Sequence, residues 1–344
     1  MAETITIAGG GLAGLTLGIG LRQAGVPVTV WEAGRYPRHR VCGEFISGRG
    51  KASLARLGLL DRLQKCESLP ATSAAFFVGP TMVAAHPLPE SALSISRFIL
   101  DEWLADEFQR LGGELRLGAR WSGAFGPGVV CASGRRAEPM THGWRLFGLK
   151  VHARDVAVEA DLEMHFVPAG YVGVCRLFGG EVDICGLFRS RGPVPDLAQR
   201  WRDWLSGPAS SALHSHLATA QFDEDSFCSV AGLCLRPQCA VEGKECRIGD
   251  ALAMIPPVTG NGMSMAFESA ELAIEPLAKF SHGNLTWDEA RGEVAERLDQ
   301  RFGSRLRWAA RLQRVLFQPT ARSLLMFLAG RSGWLWRWVF ERTR

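Results

Sequence analysis

The stretch "ITIAGGGLAGLTLGIGLRQAGVPVTVWE", residues 5–32, decides the fold. Its β-branched opening reads as a buried strand. Gly9, Gly11 and Gly14 follow in GxGxxG spacing, the run from Leu12 to Gly25 reads as a helix, and "VPVTVWE" is a second strand ending at Glu32. Gly9 allows the tight turn, Gly11 lets backbone approach a pyrophosphate, and Gly14 lets helix and strand pack closely. The N–H groups at the helix start, around Leu12 and Ala13, face an anion. Glu32, with Ala33 beside it, can accept hydrogen bonds from both ribose hydroxyls, and its charge repels a 2′-phosphate. Strand, loop, helix, strand and acid in this order specify a dinucleotide without choosing between FAD and NAD.

Residues 5–21 contain no charge, yet six glycines and the lack of a basic leader argue against a targeting or membrane segment. The 344 residues suffice for two domains, and 47% hydrophobic with 22% charged residues is ordinary globular composition. Net charge is +4, unevenly spread: residues 305–344 hold nine arginines against one acid, Glu341, so this tail carries +8 and the remainder −4. The nine cysteines form no CxxC pair, no metal site is expected, and a reducing cytosol is implied.

The second glycine-rich loop separates the cofactors. "GDALAMIPPVTGNGMSMAFESA", residues 249–270, reads as Asp250 after a short strand, a loop through Pro257, Gly260 and Asn261, and a helix from about Gly262. A flavin needs such a second element, because its ribityl chain and ring lie beyond the reach of the first loop. Asp250 can bond a ribityl hydroxyl. N–H groups from Gly260 to Met263, backed by the helix dipole, can stabilise negative charge on a reduced flavin.

With "GGGLAG", Glu32, "RVCGE" at 40–44, "SRFILDEWL" at 96–104 and "GDALAMIPPVTGNGMSMAFESAELA" at 249–273, the chain resembles the FAD-dependent oxidoreductases of the p-hydroxybenzoate hydroxylase and geranylgeranyl reductase superfamily over most of residues 3–280. The resemblance implies an α/β fold: a Rossmann-like FAD-binding domain with a parallel sheet, an antiparallel-sheet substrate domain, and C-terminal helices. The FAD domain is expected at 1–75, 95–147 and 240–285, the substrate domain at 76–94 and 148–239, and the helical segment at 286–344. Arg97 matches the position that approaches the cofactor phosphates or ribityl chain, and Arg40 joins the cofactor set. Cys42, of the Cys-Gly pair found near the flavin in the reductase branch, is expected to line the active site, with Glu44 positioning substrate or donating a proton.

Two departures narrow the activity. "VVCASGRRAEP" at 129–139 carries Ser133 where monooxygenases usually have an aspartate, and the preceding region is short. The WxWxIP motif of the tryptophan halogenases is absent. From 146 to 188 the pattern turns to period two, read as antiparallel strands roofing the pocket. In "DLEMHF", Leu162, Met164 and Phe166 share one face and Asp161, Glu163 and His165 the other. In "GLKVHA", Lys150 and His152 can face the flavin on alternate residues. Thr286 and Glu289 form a capping box before a long helix that Gln318 and Pro319 end.

The expected activity is oxidation chemistry by an FAD-dependent monooxygenase on an apolar, polyketide- or lipid-like substrate. Its alternatives are a carbon–carbon double-bond reductase and a non-catalytic flavin-binding interaction protein. NAD(P)H would bind transiently as reductant, since no separate nicotinamide domain is seen. The expected location is cytoplasmic. The Arg- and Trp-rich tail has four readings: a helix pair on the core, a peripheral membrane contact, a lid, or a dock for an acidic carrier protein presenting the substrate. Nucleic acid is not expected as a partner.

Overall fold

The uncharged run becomes the centre of the molecule. Ile5–Ala8 forms β1, Leu12–Gln23 forms α1, and Val28–Glu32 forms β2, parallel to β1. Strands and helices are numbered along the chain. Every residue of α1 from Leu12 to Leu21 is buried, because the helix is sandwiched between this sheet and α7 (Gly262–Ser281), so it needs no polar face. The computed structural model describes residues 2–135, 137–138, 140 and 143–343, with side chains except at 327–331, 333, 335–336 and 339–340. Of the tail's tryptophans, the side chain of Trp336 therefore lies outside the described set, as do Arg136 and Pro139 of the 129–139 stretch.

The first sheet has the order β13-β7-β1-β2-β6 and is parallel throughout, with β6 at Glu114–Leu117, β7 at Val129–Cys131 and β13 at Cys246–Arg247. Pairing of the two-residue β13 with β7 brings the second glycine loop back beside the first. α4 (Arg97–Arg110) packs against α1.

The second sheet has eight strands in the order β12-β8-β11-β10-β9-β4-β5-β3. These are β3 (Phe45–Ile46), β4 (Ser68–Val78), β5 (Thr81–Ile95), β8 (Arg145–Arg154), β9 (Leu162–Val167), β10 (Gly170–Arg176), β11 (Val182–Ser190) and β12 (Gln221–Ala231). The expected antiparallel pairing holds at every junction except β4–β9, which is parallel, so the sheet is mixed. Two antiparallel runs meet edge to edge there, and the chain joining them first passes through the other sheet, so no hairpin fixes their relative direction. The division expected between residues 75 and 76 falls inside β4.

α2 (Gly48–Arg56) and α3 (Leu60–Leu63) follow β3. α5 (Trp201–Leu205) and α6 (Ala212–His216) cover the outer face of the second sheet, where Trp201, Leu205 and Leu213 join Val172 and Ile184 in a core. Glu163 and His165, on the polar side of "DLEMHF", are therefore buried too: Glu163 takes His165 Nε2 at 2.8 Å and His216 Nδ1 at 3.1 Å. α8 (Trp287–Leu316) starts at the Thr286–Glu289 capping box, and α9 (Pro319–Arg331) and α10 (Gly333–Arg342) follow. Glu268 of α7 receives both Arg305 nitrogens, at 2.7 and 3.0 Å, and Arg301 at 2.9 Å, which pins α8 to α7. Among the described residues no helix is long and apolar enough to cross a membrane.

Candidate active site

A cavity of about 920 Å³ lies between the two sheets and under the C-terminal helices. At one end it is walled by the glycine loops. Gly9 holds φ +118°, and a Cβ there would lie 2.3 Å from the Ala132 carbonyl oxygen. At Gly11 and at Gly262 an added Cβ would meet nothing within 4 Å: both open on the cavity. α1 and α7 start beside these two glycines with no side-chain cap, so their first N–H groups are left for whatever occupies the cavity. Leu12, Ala13, Ala33, Pro257, Gly260 and Met263 line it as well.

Gly14 and Asn261, from the same two motifs, do not line the cavity. Gly14 is a packing glycine: a Cβ there would sit 1.9 Å from the Gly9 carbonyl oxygen. The Asn261 side chain accepts from Ser47 Oγ at 3.0 Å and donates to the Thr343 carbonyl, tying the loop to α2 and to the chain's last turn.

The charged groups at this end are arranged around two carboxylates. Glu32 lines the cavity and accepts from Gly10 N at 2.9 Å, Gly34 N at 2.7 Å and Arg38 Nη2 at 2.6 Å. Burial alone would raise its pKa, but the Gly34 N–H and the Arg38 and Arg40 guanidiniums more than offset that, so it is lowered. Glu32 thus builds the loop in addition to the ribose contact expected of it. Arg97 forks onto Asp101 at 2.7 and 2.8 Å, and Arg40 reaches the same carboxylate at 3.2 Å. Two guanidiniums sharing one acid leave a net positive wall.

Asp250 projects into the cavity, and among the described residues no group hydrogen-bonds its carboxylate. Burial raises its pKa against the pull of Arg97 and Arg135. A carboxylate exposed to the cavity without a hydrogen-bond partner, two open glycines at uncapped helix starts and a cationic wall fit a long, hydroxyl-bearing dinucleotide such as FAD. Arg135 was not among the expected residues, and its only signal is its place just after Ser133 and Gly134. Ser133 itself lines the cavity.

Further in, the structure converges residues that the sequence holds far apart. Glu44 adopts φ 53°, an uncommon left-handed conformation for a non-glycine residue, and lines the cavity. Its Oε1 accepts from Arg97 N at 2.9 Å and lies 3.5 Å from Lys150 Nζ, and its Oε2 is 2.7 Å from His152 Nε2. Burial would raise the Glu44 pKa, yet His152, Lys150 and the Arg97 N–H lower it. His152 does not line the cavity; it stands directly behind Glu44, and Lys150 is 0% exposed. Asp183 of β11 sits opposite His152 in register, fully buried, with neither carboxylate oxygen bonded. Burial and nearby Glu44 push its pKa well above the aspartate range. His39 lies 3.1 Å from Lys150 Nζ, and burial together with Lys150 pushes its pKa down to about 4. Cys42 lines the cavity as expected, but burial pushes its thiol up to about 11, so at neutral pH it is a thiol and no nucleophile.

The far end is apolar: Phe76, Phe166, Leu312, Leu316, Leu325 and Met326 line it.

No family model matches the chain. It is 25% identical to a menaquinone reductase of Mycobacterium tuberculosis, over 94% of this chain and 87% of the relative. Among solved structures it superimposes on the flavin-dependent brominase Bmp2 with a TM-score of 0.71 and 16% identity, covering 96% of this chain and 93% of that one. With PqsL, a probable FAD-dependent monooxygenase from Pseudomonas aeruginosa, the TM-score is 0.69 and the identity 14%, over 93% of this chain and 98% of that one. The chain therefore has the fold of the FAD-dependent oxidoreductase superfamily that its motifs resemble.

Proposed function

We propose that the chain is an FAD-dependent oxidoreductase that reduces a carbon–carbon double bond of an extended apolar substrate, with Glu44 and His152 handling the proton. The observation that carries this choice is the 2.7 Å Glu44–His152 pair, buried at the wall of a cavity whose far end is hydrocarbon. FAD, when bound, supplies the two electrons. Saturating a double bond also consumes a proton at carbon, and this chain provides a buried acid–base pair beside Lys150 to deliver one. Gly11, Gly262, Arg40, Arg97 and Asp250 would hold the cofactor. Phe76, Phe166, Leu312 and Leu316 would hold the hydrocarbon and keep water out. The relative's name supports reduction and an apolar quinone as the substrate class.

The monooxygenase expected first from the sequence remains the second reading, favoured by the fold shared with PqsL. It gives the Glu44–His152–Lys150 group no evident task. The tail supports entry from an apolar phase: Trp334 is 72% and Leu324 61% exposed, while Leu325 and Met326, on the same helix as Leu324, face the cavity. We place the substrate's source at an anionic lipid surface, with carrier-protein delivery as the competing route.

The test is anaerobic. FAD-loaded enzyme is photoreduced, mixed with a short-chain menaquinone, and the product is returned to air and weighed. A hydroquinone reverts in air and a saturated side chain does not, so a lasting gain of two hydrogens supports the reading. Protein that takes up no FAD, or reduced flavin that reacts only with oxygen and inserts it into the probe, refutes it.

A further inference from the structure

We propose that Glu181 and His152 form a proton route from solvent to Glu44 at the cavity wall. Three side chains stand in line: Glu181 just before β11, His152 on β8, and Glu44 just before β3. Glu181, 35% exposed, places Oε2 3.6 Å from His152 Nδ1, and His152 Nε2 is 2.7 Å from Glu44 Oε2. Glu44 and His152 are buried, so Glu181 is the end of this line that water reaches. The 3.6 Å step exceeds a hydrogen bond and is closed by a small rotation of the Glu181 carboxylate or by one bridging water.

The groups around His152 give the route its direction. The ionised Glu44 carboxylate can only accept, so His152 donates to it from Nε2. Asp183 is farther from that nitrogen, at 3.9 Å, beyond hydrogen-bond reach, and neither of its oxygens is bonded, so it does not compete as acceptor. On β12, Ser226 Oγ takes the His152 backbone N–H at 2.7 Å, and Asp223 pairs with His152 in register. Lys150 and His39 face the same cluster from β8 and from the loop before Cys42, bonded to each other at 3.1 Å. Arg154 holds the outer oxygen of Glu181 at 2.8 Å, leaving Oε2 toward the imidazole.

A proton from solvent passes from Glu181 Oε2 to His152 Nδ1. The Nε2 proton moves to Glu44 Oε2, and Glu44 releases its proton to an acceptor in the cavity. One proton enters, one leaves, and no electrons move. The imidazole is left as the Nδ1–H tautomer, and a flip of the ring turns that N–H toward Glu44 and the bare Nε2 toward Glu181, ready for the next proton. The route rests on the proposed function only for the final acceptor.

The test follows protons apart from any substrate. Reduced holoenzyme is oxidised with ferrocenium, which takes electrons and no protons, in weak buffer containing a pH indicator. The proton released into the cavity is expected to leave through Glu44, His152 and Glu181. In Glu181→Gln, proton release is expected to slow about tenfold, below the roughly 10²-fold typical of losing the acid or base itself, and added imidazole should restore it. His152→Asn should slow it further. A second measurement needs no flavin: solvent exchange of the His152 ring N–H in apoprotein, by NMR, should slow by a similar factor in Glu181→Gln. Wild-type rates in Glu181→Gln in both experiments overturn the route. Failure of the menaquinone assay with these effects intact overturns the substrate reading alone.

Discussion

Gly11→Ala and Gly14→Ala, three residues apart in one motif, should fail in opposite ways. At Gly11 a Cβ meets nothing within 4 Å, and its φ of −85° and ψ of −172° suit alanine. Gly11 caps α1 without a side chain, so replacing it should change stability by no more than about 0.5 kcal/mol. The added methyl instead occupies the space where a diphosphate would approach the N–H groups of α1. Losing one charged hydrogen bond is worth about 1.5–3 kcal/mol, or roughly 10- to 150-fold in FAD affinity. At Gly14 the methyl would lie 1.9 Å from the Gly9 oxygen, more than an ångström inside the 3.0 Å limit of real contacts. Both partners are backbone at the sheet centre, so neither can swing away, and overpacking of this kind costs about 1–3 kcal/mol or more. The assay is paired: urea unfolding of the apoproteins, and FAD titration by flavin fluorescence. Gly11→Ala should unfold like wild type and bind FAD weakly, and Gly14→Ala should shift the unfolding midpoint down. A Gly11→Ala protein that binds FAD like wild type would refute the placing of the diphosphate at this loop.

Glu44→Gln should keep FAD and lose about 10²- to 10⁴-fold in anaerobic turnover of the menaquinone probe; near-normal turnover would remove Glu44 from the chemistry. Asp183→Asn should stabilise the protein increasingly as pH rises. The folded pKa of Asp183 is raised above its unfolded value of about 4, so wild-type stability falls as pH rises from that value toward the folded pKa, while the amide has no such loss. Equal chemical denaturation midpoints for the two proteins at acid and neutral pH would contradict this. Glu268→Ala strands the buried Arg305 and should cost about 3–5 kcal/mol, read in the same unfolding assay; a change under about 1 kcal/mol would mean the pair behaves as an exposed one. Truncation after Gln318 removes Leu325, Met326 and Thr343 from the cavity wall, so FAD should bind with a more solvent-quenched or shifted spectrum; an identical flavin spectrum and affinity would show that the tail does not close the site.

The parts legible in the sequence were those whose chemistry is local. The first glycine loop, its acid and the Thr286–Glu289 box each span few residues, and each folds as its spacing dictates. The second loop was legible as an element, but the grip of the Asn261 side chain was not, because its partners, Ser47 and the Thr343 carbonyl, lie far away in sequence. The same limit hid the Glu44 cluster. Lys150 and His152 show period two and look half-exposed, but β12 and the loop around His39 cover them. Burial of Glu163 and His165 follows in part from α6, whose His216 bonds Glu163, five residues and too short to leave a periodic signal. The parallel β4–β9 junction has no turn to announce it.

The two ends of the cavity are mechanically one device, and Arg97 is the joint. Its backbone N–H, at the start of α4, donates to Glu44, and its guanidinium holds Asp101, which also holds Arg40. The helix dipole at that N-terminus favours the ionised Glu44, compensating part of the desolvation that would neutralise a carboxylate at this depth. The unusual φ of Glu44 fits this arrangement: only a chain turned back on itself there can direct the Glu44 carboxylate at the N-terminus of α4 and at β8 together. A ligand that draws on Arg40 and Arg97 at the cationic wall therefore pulls on the element that sets the charge of the acid–base pair. On the proposed function, cofactor seating and proton handling would be coupled through the few residues from Ser96 to Asp101, which gives a physical reason for "SRFILD" and "RVCGE" to meet at one point of the fold.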